Sequence, residues 1–163
     1  MKVVRFVNLL LAGVLVGNEF GGWVAVHPAL ATLPIREHVA AERAVTKRYK
    51  AIMPYVMTAT IASGLLVLGR LARRRSTGQR WQLAGTSCFG AMLAVTLLGN
   101  MPINHRILAA VPEALPADWY ALRARWDRLH TVRNVLNVTG FGCLILSTLA
   151  GDAAGDTAAA TRP

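Results

Sequence analysis

Trp119, Arg123, Trp126, His130, Arg133 and Asn137 are separated by 4, 3, 4, 3 and 4 residues. At 100° per residue they fall within an arc of about 80° on one helix, forming a stripe about five turns long. A core stripe would be built from Leu, Val and Ala. This one offers flat rings, fixed positive charge and an imidazole that exchanges protons near neutrality. Such a set can line a pocket that is both polar and aromatic. An interfacial belt of aromatic and basic side chains is the alternative, but a belt surrounds a helix or faces headgroups and does not hold to one arc. We read the stripe as a pocket wall.

A second set lies near the N-terminus, where Asn8, Glu19, Trp23 and His27 share an arc of about 100°. Glu19 stands inside an apolar stretch, where an ionisable group must face a bundle interior, water or a partner. Two readings remain open for it: a packing pin tied to an arginine, or a proton acceptor in a pocket. In Gly99-Asn100-Met101-Pro102-Ile103-Asn104-His105-Arg106 two asparagines flank a proline. These form a helix end and turn, or expose Asn100 and Asn104 to a cavity. Imidazoles also bind metals, so a site built from His27, His105 and His130 is a further alternative, although no HxxxH or His–carboxylate spacing supports it. Cys88 and Cys143 lie in apolar segments outside any CxxC and read as small hydrophobes.

The elements that must position these residues follow from composition. The chain has 163 residues, 54% hydrophobic and only 16% charged, with a mean hydropathy of +0.41. That excludes a disordered chain, a disulfide-stapled secreted domain and an ordinary cytosolic enzyme, in which about a quarter of residues are charged. The net charge of +10 is not a nucleic-acid footprint, because the basic residues cluster between apolar stretches instead of covering one soluble face. Cationic loops flanking apolar spans set topology and contact anionic lipid. The expected partners are therefore the bilayer and a small aromatic or lipophilic molecule, with no nucleic acid; oligomeric state is left open.

Four stretches reach the roughly 20 residues needed to cross a bilayer: 6–26, 51–69, 81–99 and 134–151. Lys2, Arg5 and Ala29-Leu30-Ala31 resemble a cleavable leader, but the first apolar run is too long for one and is broken by Glu19. Four spans place both termini on one side. Eight basic residues fall on that side against ten on the other. The loop at 70–80 holds Arg70, Arg73, Arg74, Arg75 and Arg80 with no acidic residue, so it and both termini are placed in the cytoplasm of an inner-membrane protein. His27, His38, His105 and His130 then share the opposite side.

Pro34 and Pro116 suit first helical positions. From Pro116 to Ala150 there is no further proline, about 52 Å of helix, and the same holds from Ile35 to Gly69 apart from a kink at Pro54. The reading is thus an all-α, four-helix transmembrane bundle over residues 1–151, with helices 2 and 4 extended beyond the bilayer. Residues 152–163 are read as a disordered tail. Each half repeats one plan: a span ended by His27-Pro28 or Asn100-Met101-Pro102, a turn, and a long returning helix.

Three stretches resemble a known family: Glu19-Phe-Gly-Gly-Trp-Val-Ala-Val-His-Pro-Ala-Leu30, Asn100-Met-Pro-Ile-Asn104, and Trp119 to Arg133 (WYALRARWDRLHTVR). Together they are similar in order and spacing to the anthrone-oxygenase-like membrane proteins. The resemblance implies a four-helix membrane bundle that oxidises anthrones to anthraquinones with O2 as co-substrate and without metal or flavin. It further implies Glu19 or His27 as base and Arg123 and Arg133 as holders of the substrate anion. Trp23 and Trp126 would stack on its rings, and Asn100 and Asn104 would bond its oxygens. Trp119, His130 and Asn137 complete the substrate wall. A non-enzymatic bundle tied together by the same residues, with Glu19 and Arg133 as an ion pair, is the rival from another class.

Overall fold

In a computed structural model, residues 2–73 and 76–160 are described, with side chains described as far as residue 150. Arg74 and Arg75 of the basic loop lie outside the described residues. The tail expected over 152–163 falls on residues whose side chains, and from 161 whose backbone, lie outside them too.

Four helical stretches are each long and apolar enough to cross a bilayer: Lys2–Leu30, Ile35–Arg73, Gln79–Ala109 and Trp119–Ala150. The chain is a multi-pass helical membrane protein. The first stretch is α1 (Lys2–Gly21), a widened turn over Gly22–Val26 and α2 (His27–Leu30). The second is α3 (Ile35–Arg73), and the third is α4 (Gln79–Val95), a widened turn over Thr96–Asn100 and α5 (Met101–Ala109). The fourth is α6 (Trp119–Ala160). The 39 residues of α3 make about 58 Å of helix against a hydrocarbon core of about 30 Å, so its outer turns stand beyond the bilayer. Among α1, α3 and α6, side chains such as Phe6, Leu10, Leu66 and Val135 point outward, a surface suited to lipid and not to water.

The prolines correct the expected boundaries. Neither His27-Pro28 nor Asn100-Met101-Pro102 ends its helix. The His27 N–H bonds the Gly22 carbonyl and the Met101 N–H bonds the Thr96 carbonyl, each five residues back. Each proline follows directly, at the seam where the ladder returns to four-residue spacing. Its missing N–H therefore falls where the ladder is already shifting register. α3 begins just after Pro34, whereas α6 begins three residues after Pro116, where the Trp119 N–H closes a turn onto the Pro116 carbonyl at 3.0 Å. Arg106 donates to Asp118 at 2.7 Å across this loop and holds that carboxyl below the usual aspartate range. The contribution is present above the ordinary aspartate pKa and fades as pH falls through the lowered one.

The bundle is layered along its axis. At the end holding the N-terminus, Asn8 donates to the Thr60 carbonyl and to Ser63, while Gln82 donates to Asn8, Gly64 and Thr86. This clamp satisfies its own amides, which hydrocarbon would leave unpaired. Next comes an apolar core of Ala12, Leu15, Met57, Phe89, Met92 and Leu144. At the far end a second core of Val39, Ile103, Ile107, Trp119, Leu122 and Trp126 packs the outer turns of α3, α5 and α6. The buried Glu19–Arg133 pair lies between the two cores, and Glu42 and Arg123 lie beside the second.

α4 and α6 are packed closely at Gly85 and Gly140. A Cβ on Gly85 would stand 2.7 Å from Leu144 and 2.8 Å from the Gly140 carbonyl, the small-residue contact by which membrane helices associate without a hydrophobic drive. Gly85→Val is expected to lower stability by about 1–3 kcal/mol through overpacking, read as a lower melting temperature in detergent. An unchanged melting temperature would show that the helices part at no cost.

Candidate functional site

The site is assembled from one end of each crossing helix. α1 delivers Glu19 one turn beyond the apolar core residue Leu15, and the widened turn brings His27 round to the same interior. α3 delivers Glu42, which is 0% exposed. α6 delivers Arg123, Trp126, His130 and Arg133 along its stripe, all buried.

These side chains form two carboxylate-centred groups. In the first, Arg133 donates to Glu19 Oε1, and His130 Nε2 stands 3.2 Å from Glu19 Oε2. In the second, Glu42 Oε1 lies 3.0 Å from both His27 Nδ1 and an Arg123 guanidinium nitrogen. The groups meet at their histidines, whose rings stand edge to face with centroids 5.4 Å apart. Trp126 packs against both, at 4.4 Å from His27 and 4.6 Å from His130, and Arg123 lies over its ring at 4.7 Å. Arg133, Glu19, His130, His27, Glu42 and Arg123 thus run as one chain of ionisable groups through a low-dielectric interior. Two carboxylates balance two guanidinium groups, which burial requires.

An ionised Glu42 accepts the His27 Nδ1 proton, which leaves Nε2 with the lone pair. His130 Nε2 faces Glu19 Oε2 at 3.2 Å without hydrogen-bond alignment, so Glu19 acts on this ring through its charge. Each histidine therefore has a carboxylate behind it, the arrangement that stabilises an imidazolium as it forms. Several buried polar atoms have no hydrogen-bond partner among the described residues, including Arg123 Nη1, Arg133 Nε, Glu42 Oε2 and Trp119 Nε1. Buried polar groups are nearly always paired, so an unpaired cluster marks a place for a polar ligand or water.

The remaining predicted residues are distributed as follows. Asn104 accepts a 2.7 Å bond from Trp126 Nε1 and fixes the ring. Asn100 is buried, and its amide reaches the Trp126 carbonyl at 3.5 Å. Asn137 is buried, and neither amide atom has a hydrogen-bond partner among the described residues. Trp23 lies half exposed beside α6, donating to Thr131 at 3.1 Å, and Trp119 packs edge-on against His38. His105 is exposed, away from the His27–His130 pair, and among the described residues no three His, Cys, Asp or Glu side chains are grouped to hold a metal. Cys88 and Cys143 are free and half-buried. The sequence reading did not select Glu42, which lies in the outer part of the long helix expected from Ile35 to Gly69. Its signal was the run Val39, Glu42, Thr46, Met53, Met57 and Thr60, spaced as one helix face.

Two cavities touch this cluster. One of about 90 Å³ is lined by Glu19, Arg133, Val45, Thr46, Met57 and Met101 among others, and one of about 530 Å³ by Trp23, Ala31, His38, Trp119, Tyr120 and Arg123 among others.

Fold and site together define a helical, multi-pass membrane protein with a buried, charge-balanced His–carboxylate pocket. The chain matches the Anthrone oxygenase family over residues 43–143 and belongs to that family. The match covers the α6 stripe and both asparagines, whereas Glu19, His27 and Glu42 fall before it. Neither the curated proteins nor the solved structures give a significant match to the chain.

Proposed function

We propose that this protein is a cofactor-independent oxygenase that oxidises a polycyclic phenolic substrate of the anthrone type with O2. The observation that carries this reading is the pair of histidines, each with a buried carboxylate behind it and an arginine with an unpaired donor close by. An anthrone's methylene is acidic because its anion is a delocalised aromatic phenolate. His27 Nε2 takes one methylene proton, and Glu42 stabilises the resulting imidazolium. The unpaired donor of Arg123 faces the anion's charge, that of Arg133 faces the reduced oxygen, and Trp23 offers its ring for stacking. The anion passes one electron to O2, and superoxide recombines with the carbon radical to form a C–O bond. The peroxide takes the proton back from His27. Loss of the second methylene proton to His27 then breaks the O–O bond, leaving the carbonyl, and the departing hydroxide recovers that proton as water. The balance is one CH2 and one O2 giving one C=O and one H2O.

We place the chain in the inner membrane with both termini and the 70–80 loop in the cytoplasm, so that the pocket lies at the outer end of the bundle. The lopsided basic loop supports this orientation.

The direct Glu19–Arg133 contact favours a second reading, in which the charges only pin the helices together. The test is O2 consumption by detergent-purified protein with an anthrone, run beside Glu19→Gln and Arg133→Ala. Quinone formation by wild type and its loss in folded Arg133→Ala are expected. No consumption by folded wild type supports the pinning reading, and full activity in Arg133→Ala removes the guanidinium from the mechanism.

A further inference from the structure

The two cavities share only two of their lining residues, His27 and His130. They differ sharply in size. A dry cavity of about 150 Å³ admits one benzene ring, so the inner space of about 90 Å³ is too small for three fused rings. The outer space of about 530 Å³ falls within the range of about 300–1,000 Å³ that holds drug-sized ligands. Their walls differ as well. The inner one combines Val45, Met53, Pro54, Met57 and Met101 with the Glu19–Arg133 pair at one end. It reaches the surface at Lys50 and Pro54, both exposed, where α3 enters its uncharged stretch. The outer one carries Trp119, Tyr120 and Arg123 beside the headgroup end of the bundle. Each compartment thus has its own arginine.

We propose that the two reactants enter by separate compartments, the planar aromatic through the outer one and O2 through the inner one from the hydrocarbon phase. This rests on the oxygenase reading above. Apolar gas partitions into lipid, and the methionine-lined inner cavity opens where lipid begins. His27 and His130 line both cavities, so O2 arriving from the inner one meets the carbon on the face from which His27 has taken the proton. Arg123 pairs with the aromatic oxyanion, and Arg133 with superoxide and then the peroxide.

The test separates two Michaelis constants. Val45→Phe, which fills the inner cavity, is expected to raise KM for O2 about tenfold while KM for the anthrone moves less than about twofold. Ala31→Trp, at an exposed position on the outer cavity, is expected to do the reverse. Equal movement of both constants in either variant overturns the division. Xenon pressure on the wild type needs no variant: competition with O2 supports the inner chamber, and competition with the anthrone overturns it. Wild type without O2 uptake fails the oxygenase reading and the O2 chamber together. Quenching of tryptophan fluorescence by anthraquinone, lost in Ala31→Trp and kept in Val45→Phe, then still upholds the aromatic chamber, and the opposite pattern overturns that as well.

Discussion

Glu42→Ala is expected to cost the bundle about 3–5 kcal/mol, the penalty for removing one partner of a buried ion pair. The size follows from geometry. One oxygen, Glu42 Oε1, serves both His27 and Arg123 at 3.0 Å. Its loss leaves the Arg123 guanidinium buried with Asp127 as its one acidic neighbour among the described residues, 3.3 Å away and largely solvated. A solvated carboxylate returns little of what the buried one gave, since water screens it. The penalty is thus that of an orphaned charge more than of a lost attraction. Glu42→Ala combined with Arg123→Met should recover most of the stability, because the charge and its counter-charge go together and methionine refills the space over Trp126. Unfolding in detergent, followed by circular dichroism, measures both. A single-variant loss below about 1 kcal/mol would mean that water reaches Arg123 and that the group is not sealed.

His27→Gln is expected to lower turnover by about 10²- to 10⁴-fold, the usual worth of a positioned general base. The glutamine amide can still donate to Glu42, so the second carboxylate group keeps a donor and the fold is retained. What disappears is the lone pair at the Nε2 position. Single-turnover anthrone oxidation at saturating O2 measures the loss, with circular dichroism confirming the fold. Turnover within about twofold of wild type would move the base to the Glu19–His130 half.

The four spans were legible because lipid enforces uninterrupted apolar runs, and the α6 stripe because 3.6-residue periodicity survives any tertiary arrangement. The arc joining Glu19 to His27 was visible for the same reason, although it assumed a regular helix that the widened turn interrupts. Glu42 was not legible as a site residue. It sits among Arg36, Arg43, Lys47 and Arg48, a composition that reads as a solvated face. Its burial depends on α3 and α6 staying packed beyond the bilayer, which the second apolar core achieves and local sequence does not encode. The two prolines were misread as helix ends because five-residue hydrogen bonding is a response to packing and carries no composition of its own. Trp23 shows the converse: a residue of the right type on the right arc that finishes half exposed against Thr131.

Each widened turn is in effect a one-residue insertion, which rotates everything beyond it by about 100° relative to a regular helix. Below the turn, α1 and α4 are each clocked by their packing against α3 and α6. Above it, His27 and Asn104 are clocked independently, toward the pocket. The membrane anchor and the chemical end of each odd-numbered span are therefore decoupled rotors on one shaft. A chain built this way can re-aim its pocket by gaining or losing a single residue in the turn, while the buried crossing beneath keeps its grip.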